Sequence, residues 1–479
     1  MPQEDEDGLV ETYSTRIKRT AGIKICGNWI DRLRTFLNSN LFYVAQMIIA
    51  ALFVVLGEEP LGVVFFVGLI AFIMLVCDDI LPTLLPFLLV CTVATNCYDS
   101  FNLFIGYAIY APIVVLCVVY HLVFYRKPVN DSGVSIFGIG AVSLAVCLGG
   151  IGGFTTEEYL QGFYYLFGLG LGMMCAYLIM RGQYFVYRSY DFKRKFAVIM
   201  TMIGLICIVI IICGYLRSEF KILETKEYHY NNPNIPGFSR NNICTMLMFA
   251  MPFPLYLATK KRCAWMAMWT PIMYAAIAIS TSRGGLIFGG VEFGVCCLYW
   301  IFAGKMKWLR FLICLSAALL ILVIFGEMIW DIIENRLLSS NAIEGSERAK
   351  MIEQAFERFF KNPLFGSGIL DDSIAYGQAN KKGTMAWYHM MVPQIIGSMG
   401  LVGVFAYGYQ FLGRCKLIFK RKTAWSLCLG LSYLGILLMS QVNPGEFCPL
   451  PFELFTVLLF ILQEYRLEGP RYTLWQRKL

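Results

Sequence analysis

Charge is what this chain has least of. Only 15% of its 479 residues are Asp, Glu, Lys or Arg, where a soluble domain carries about a quarter. Histidine is scarcer, with three in the whole chain. No Asp, Glu, His or Cys grouping has metal-ligand spacing, so neither a metal nor any other cofactor is expected. The 17 cysteines include no CxxC pair. They fall inside apolar runs, as with Cys207, Cys213 and the adjacent Cys296-Cys297, and read as small apolar core residues. Internal repeats, low-complexity linkers and a detachable soluble domain are absent too. The apolar runs do not alternate with polar residues, which excludes a β-barrel. No secretory signal peptide is expected, because residues 1–40 are polar and basic and the first apolar run is not followed by a cleavage site.

What is there is apolar. Hydrophobic residues make up 58% of the chain and the mean hydropathy is +0.62. Runs of roughly 17–25 apolar residues, each enough to cross a bilayer as a helix, recur along the length. The fold class expected is all-α and polytopic. Fourteen membrane segments are expected, near 41–57, 61–77, 81–98, 101–125, 133–153, 159–180, 197–216, 241–258, 263–280, 284–303, 308–329, 390–413, 424–441 and 449–465. Asp78-Asp79 leaves only a tight connection after the second, so twelve or thirteen remain open. The chain then divides into a basic N-terminal piece (1–40), eleven helices (41–329), one large outer loop (330–389), three helices (390–465) and a tail (466–479). The N-terminal piece spaces Cys26, Trp29, Ile30, Leu33, Phe36 and Leu37 as an interfacial helix.

Lysine and arginine set the orientation. With the N-terminus in the cytoplasm, 28 of the 40 basic residues fall on the inner side, among them Arg181 and Arg414. All but one of the rest lie in two long outer segments, 217–240 and 330–389, and long loops count little in this rule. Short outer turns are neutral or acidic, as at Glu58-Glu59 and Glu446. Both termini are expected in the cytoplasm. The net charge of +8 is a product of this topology, so no nucleic-acid partner is inferred.

Polar residues concentrate in the outer loop. Ser346 and Glu347 suit a helix start. Ile352, Ala355, Phe356, Phe359 and Phe360 follow at helical spacing and form the expected buried face of an amphipathic helix ending near Asn362-Pro363. Arg348 lies on the same stripe. There it either meets a phosphate beside free backbone N–H groups or snorkels to water. Arg283, in Thr281-Ser282-Arg283-Gly284-Gly285, stands at the outer mouth of the segment 284–303, and Arg240 stands likewise before 241–258. A dianionic ligand explains three arginines converging there; ordinary surface charge does so too. His389 stands where the loop re-enters the membrane, and suits a general base or a hydrogen-bonded interface residue. Glu292 and Glu453 lie inside apolar segments, where charges are usually paired or functional; Glu292 reads as a structural partner of a buried polar group.

These pieces, in order, resemble the O-antigen ligase / O-antigen polymerase family of bacterial membrane glycosyltransferases. The order is STSRGG opening a helix, a long loop with Glu347-Arg348 and a helix, NPLFGSG at 362–368, His389 opening the next helix, then Gly397-Ser398-Met399-Gly400-Leu401-Val402-Gly403. Met390 stands where the family pattern has Asn after His. The resemblance covers roughly 280–405. It implies a metal-independent transfer or polymerisation of polyprenyl-diphosphate-linked oligosaccharide on the outer face of the bacterial cytoplasmic membrane, in O-antigen, capsule or exopolysaccharide assembly. Arg283 and Arg348 would hold the donor diphosphate and His389 would activate the acceptor hydroxyl. Arg240, Ser282, Gly366 and Gly368 are the further substrate-binding positions expected. The partners implied are the lipid-linked glycan donor, a glycan or lipid-carrier acceptor, membrane lipid and other polysaccharide-assembly proteins. The alternative is a lipid-linked oligosaccharide flippase, which would place its charges in a cavity between two similar halves.

Overall fold

The computed structural model describes residues 28–77, 81–94, 111–125, 133–151, 170–184, 192–217, 240–259, 263–280, 282–302, 307–336, 347–368, 388, 390–420, 423–443, 445–447 and 452–467. Outside them lie residues 369–387 of the expected outer loop, most of the N-terminal piece and of the segment 217–240, and the tail from 468 onward. Among the described residues every regular element is helical. In chain order they are α1 (Asn28–Leu37), α2 (Asn40–Leu56), α3 (Glu59–Val76), α4 (Leu81–Ala94), α5 (Ala111–Phe124), α6 (Ser135–Leu148), α7 (Gly172–Tyr184), α8 (Phe192–Arg217) and α9 (Arg240–Ala250). They continue with α10 (Pro252–Ala258), α11 (Trp269–Ile279), α12 (Arg283–Phe302), α13 (Lys307–Arg336), α14 (Glu347–Lys361), α15 (Met391–Phe419), α16 (Ala424–Met439) and α17 (Leu454–Leu467).

Among the described residues, five helices are long and apolar enough to cross a membrane: α3, α8, α12, α13 and α15. Shorter apolar helices accompany them, and the chain is a multi-pass membrane protein. Local chemistry sets several ends. Ser39 and Thr423 cap α2 and α16 by accepting N–H bonds from Phe42 and Ser426, each at 3.2 Å. Gly57 closes α2 with φ +78°, in the left-handed region that glycine enters without penalty. The expected segment 241–258 is two helices, because Pro252 and Pro254 supply no N–H to continue α9. The expected segment 308–329 runs on as helix to Arg336.

The core gathers around α8, α9, α16 and α17. Their buried Phe196, Phe249, Trp425 and Phe455 pack with Phe253 of α10 at ring centroids 5.6–6.4 Å apart, Phe196 edge to face with Phe253 and Trp425 and the other pairs tilted. Two ion networks sit inside this apolar body. Glu464 accepts bonds from Arg181 Nη1 at 2.6 Å and from the Tyr177 hydroxyl at 2.5 Å, and it pairs with the Ser135 N–H. Arg414 reaches Glu453 at 2.8 Å, pairs with Glu446, and lies over the rings of Tyr433 and Phe460.

These pairs add a depth that charge alone did not carry. Arg181 and Arg414, counted on the inner side, are buried and compensated by carboxylates on neighbouring elements. Glu446 belongs to a short 3-10 turn (445–447) folded back among α15 and α16 rather than to an exposed turn. Charge in a sequence carries no depth; only the packing of α15, α16 and α17 brings opposite signs together. Glu292 is corrected as well. It is fully buried against Gly435, and neither carboxylate oxygen has a hydrogen-bond partner.

Candidate functional site at one end of the bundle

Two helices begin side by side. Arg240 opens α9 and Arg283 opens α12. Ser282 caps α12: its hydroxyl oxygen accepts the Gly285 N–H at 3.1 Å, and its carbonyl accepts the Leu286 N–H at 2.8 Å. The same hydroxyl donates to Asn241 Oδ1 at 2.8 Å. The residues adjoining the two arginines are therefore bonded to each other. Ser282 is buried, Arg240 half-buried and Arg283 exposed.

The chain after α16 joins this end. Asn443 donates from Nδ2 to Asn242 Oδ1 at 2.9 Å. Val442 packs so closely on Gly284 that a Cβ there has no room, and a Cβ on Gly285 would stand 2.9 Å from Cys244 Sγ. The glycine pair thus lets α12 approach α9 and α16. Ser440 then accepts the Met391 N–H at 2.8 Å, which sets the start of α15 beside the same residues. Three helix N-termini meet here, each with a partial positive charge, together with the arginines that open two of them. Such an end attracts a ligand carrying two or more negative charges.

The loop side docks on α15. Arg348 belongs to the first turn of α14; its side chain, and all of His389, lie outside the described residues. The chain on both sides of position 389 is held. The Tyr388 N–H donates to Gln394 Oε1 at 3.0 Å, and Gln394 donates onward to Ser398 Oγ at 3.0 Å. The Tyr388 ring is buried among Met351, Ala355 and Gly397, and a Cβ at Gly397 would meet its hydroxyl at 2.8 Å. Arg358 bonds the same hydroxyl and reaches Ser367 Oγ at 3.4 Å. Burial pushes the Tyr388 phenol up to about 12, with Arg358 pulling the other way. Burial also lowers the Arg358 guanidinium from its usual value, and Tyr388 opposes this.

The turn at 362–368 and the helix break at Gly400 are two halves of one joint. Gly366 and Gly368 have φ +64° and +89°, and Gly400 has φ +58° inside α15. The N–H groups of Ser367 and Gly368 donate to the carbonyls of Gly397 and Ser398, both at 2.9 Å. Those of Leu401 and Val402 donate to Pro363 at 2.8 Å and Leu364 at 3.1 Å. The break frees α15 backbone groups and the turn takes them up. A Cβ on Gly366 would lie 2.6 Å from the Met399 nitrogen. Gly366 and Gly368 thus stand about two turns along α15 from Met391, packed on backbone, and not beside Arg240 and Arg283.

The structure turns α14 differently from expectation. Met351, Ala355 and Arg358 face the protein, while Ile352, Phe356 and Phe360 are exposed. The apolar residues are a wide stripe, and only the edge nearest Tyr388 finds a protein partner. Asn443, Arg358, Tyr388 and Gln394 had no role in the sequence reading. The available signal was weak: polar residues next to turn motifs and at the ends of apolar segments. Among the described residues no group of three or more His, Cys, Asp or Glu could hold a metal ion.

Among curated proteins, none matches the chain. Residues 266–408, which run from α11 through α12, the loop helix and the glycine joint into α15, match the family model described as O-antigen ligase. The likeness of the chain to the O-antigen ligase family lies in this segment.

Proposed function

We propose that this protein transfers or polymerises oligosaccharide from a polyprenyl-diphosphate carrier, with the arginine end of the bundle facing the outside of the cytoplasmic membrane. The observation that carries the reading is the meeting of Arg240, Ser282-Arg283 and the start of α15 through the Asn241, Asn242, Asn443 and Ser440 bonds; Ser282-Arg283 and the start of α15 fall within the O-antigen ligase match. The acceptor hydroxyl oxygen forms a bond to the anomeric carbon of the donor sugar. The bond from that carbon to the diphosphate oxygen breaks. The hydroxyl proton passes to His389, and the polyprenyl diphosphate leaves with the bonding pair. Arg283 and Arg348 hold the diphosphate as its charge rises, and helix N–H groups add to that field. No resident metal is invoked. Whether the acceptor is a second lipid-linked repeat or a different carrier sets polymerase against ligase, and one site chemistry serves both.

The test is transfer from a purified lipid-linked donor. His389→Ala is expected to insert and to bind donor while losing roughly 10²–10⁴-fold in rate, the usual share of acid–base catalysis. The wild-type rate is expected to rise with pH through a group near about 6.5, since only neutral imidazole accepts the proton. Tyr388 cannot produce that rise: its phenol, pushed up to about 12, stays protonated throughout this range. A stable His389→Ala protein with near-normal transfer removes the histidine from the mechanism.

A further inference from the structure

α14 presents three sectors. Met351, Ala355 and Arg358 pack on the protein, and Lys350, Glu353, Glu357 and Lys361 form an exposed polar side. Between them runs an apolar row in which Ile352, Phe356 and Phe360 are 37%, 44% and 73% exposed; Leu364 prolongs it at 57%. Three apolar side chains at one-turn spacing, continued by Leu364 just past the helix end and left uncovered beside a charged side, make the pattern of a helix lying in a membrane surface.

The depth of the joint agrees. A hydrocarbon core of about 30 Å takes about 20 helical residues. α15 is 29 residues long and breaks at Gly400, and the residues from the break to Phe419, in which the buried Arg414 is neutralised by Glu446 and Glu453, match that length. α6 ends at Leu148 at the same level, where the Gly150 N–H donates to the Phe365 carbonyl at 2.8 Å. The turn that ends α14 therefore sits where two helices leave the core. Its surface is also continuous with a lipid-facing one. Leu364 bonds through its carbonyl to Val402, and one turn deeper Phe405 is 73% exposed, followed by Leu412 at 65%.

We propose that α14 lies in the boundary between headgroups and acyl chains, with Ile352, Phe356, Phe360 and Leu364 inserted among bilayer phospholipids. A row of four side chains is too small for a stable protein interface, which buries about 800 Å² on each partner. It suffices to hold a helix already docked on one side. The inference does not depend on the transfer chemistry.

The experiment places the photoreactive residue p-benzoylphenylalanine at Phe356 or Phe360 of the full chain, and at Glu353 or Glu357 as comparison. The purified protein is illuminated in phospholipid nanodiscs without donor and analysed by mass spectrometry. Both aromatic positions are exposed, so the larger ring does not have to enter the packed core. Phospholipid adducts at Phe356 and Phe360, and none at Glu353 or Glu357, are expected. Absence of lipid adducts at the first two positions overturns the proposal, as do adducts to a second copy of the chain. Since no donor is present, neither result bears on whether His389 catalyses transfer.

Discussion

At the scale of single residues, the arginine end depends on fork geometry as well as charge. Arg283 follows a cap residue, Ser282, that is bonded to Asn241 on the neighbouring helix. Its backbone is thus fixed on a rigid element, and its guanidinium can offer two parallel donors to a phosphate. Lysine keeps the charge and loses that pair of donors. Arg283→Lys is expected to cost most of the transfer activity while membrane insertion and expression stay unchanged. Wild-type turnover in this variant would show that Arg283 does not grip the diphosphate as proposed. The residue scale is also where sequence reading was most uneven. Arg240, Ser282 and Arg283 stood out because polar residues break an apolar run. Tyr388 and Arg358 did not, because a Tyr–Arg bond across thirty residues leaves no local signature.

At the scale of elements, the joint between the 362–368 turn and α15 depends on backbone meeting backbone. Gly366 is in the left-handed region and has no space for a Cβ beside the Met399 nitrogen. Neither strand of the joint can withdraw without breaking the four cross-bonds to residues 397–402. Gly366→Ala is expected to destabilise the joint by about 1–3 kcal/mol, read as faster hydrogen exchange at 362–368 and 397–402. Ser367→Ala removes a hydroxyl that donates to the Gly397 carbonyl at 3.1 Å, worth about 1 kcal/mol, and that accepts a long bond from Arg358 at 3.4 Å; it leaves the backbone cross-bonds in place and should exchange closer to wild type than Gly366→Ala. Equal protection in the Gly366→Ala protein would mean that the turn does not lock α15. The glycines were legible as a motif, but their task was not. Left-handed φ values and a helix break thirty residues away become one device only in three dimensions.

At the scale of the whole molecule, the distribution of basic residues predicts a definite orientation. Reporter fusions near Lys420 should lie in the cytoplasm and those near Asp371 outside. A cytoplasmic Asp371 would put the loop in the wrong compartment and end the proposed site. The buried Arg181 and Arg414 do not weaken this expectation, because Lys193, Arg194 and Lys195, and likewise Lys416 and Lys420, remain beside them in the chain.

By itself the sequence determined the helical class, the membrane setting and the position of the polar ends. Those follow from composition and period along the chain, which a bilayer reads locally: each apolar run must satisfy its own backbone. The family resemblance over the loop region was legible for a similar reason, since turns and caps are short-range. Tertiary structure alone decided which charges are buried, that Arg414 lies between Glu446 and Glu453, that Glu292 has no hydrogen-bond partner, and which third of α14 touches protein. Those outcomes depend on neighbours far away in the chain. Side chains at identical helical positions differ in free energy only once the facing helix supplies a carboxylate, a glycine or nothing at all.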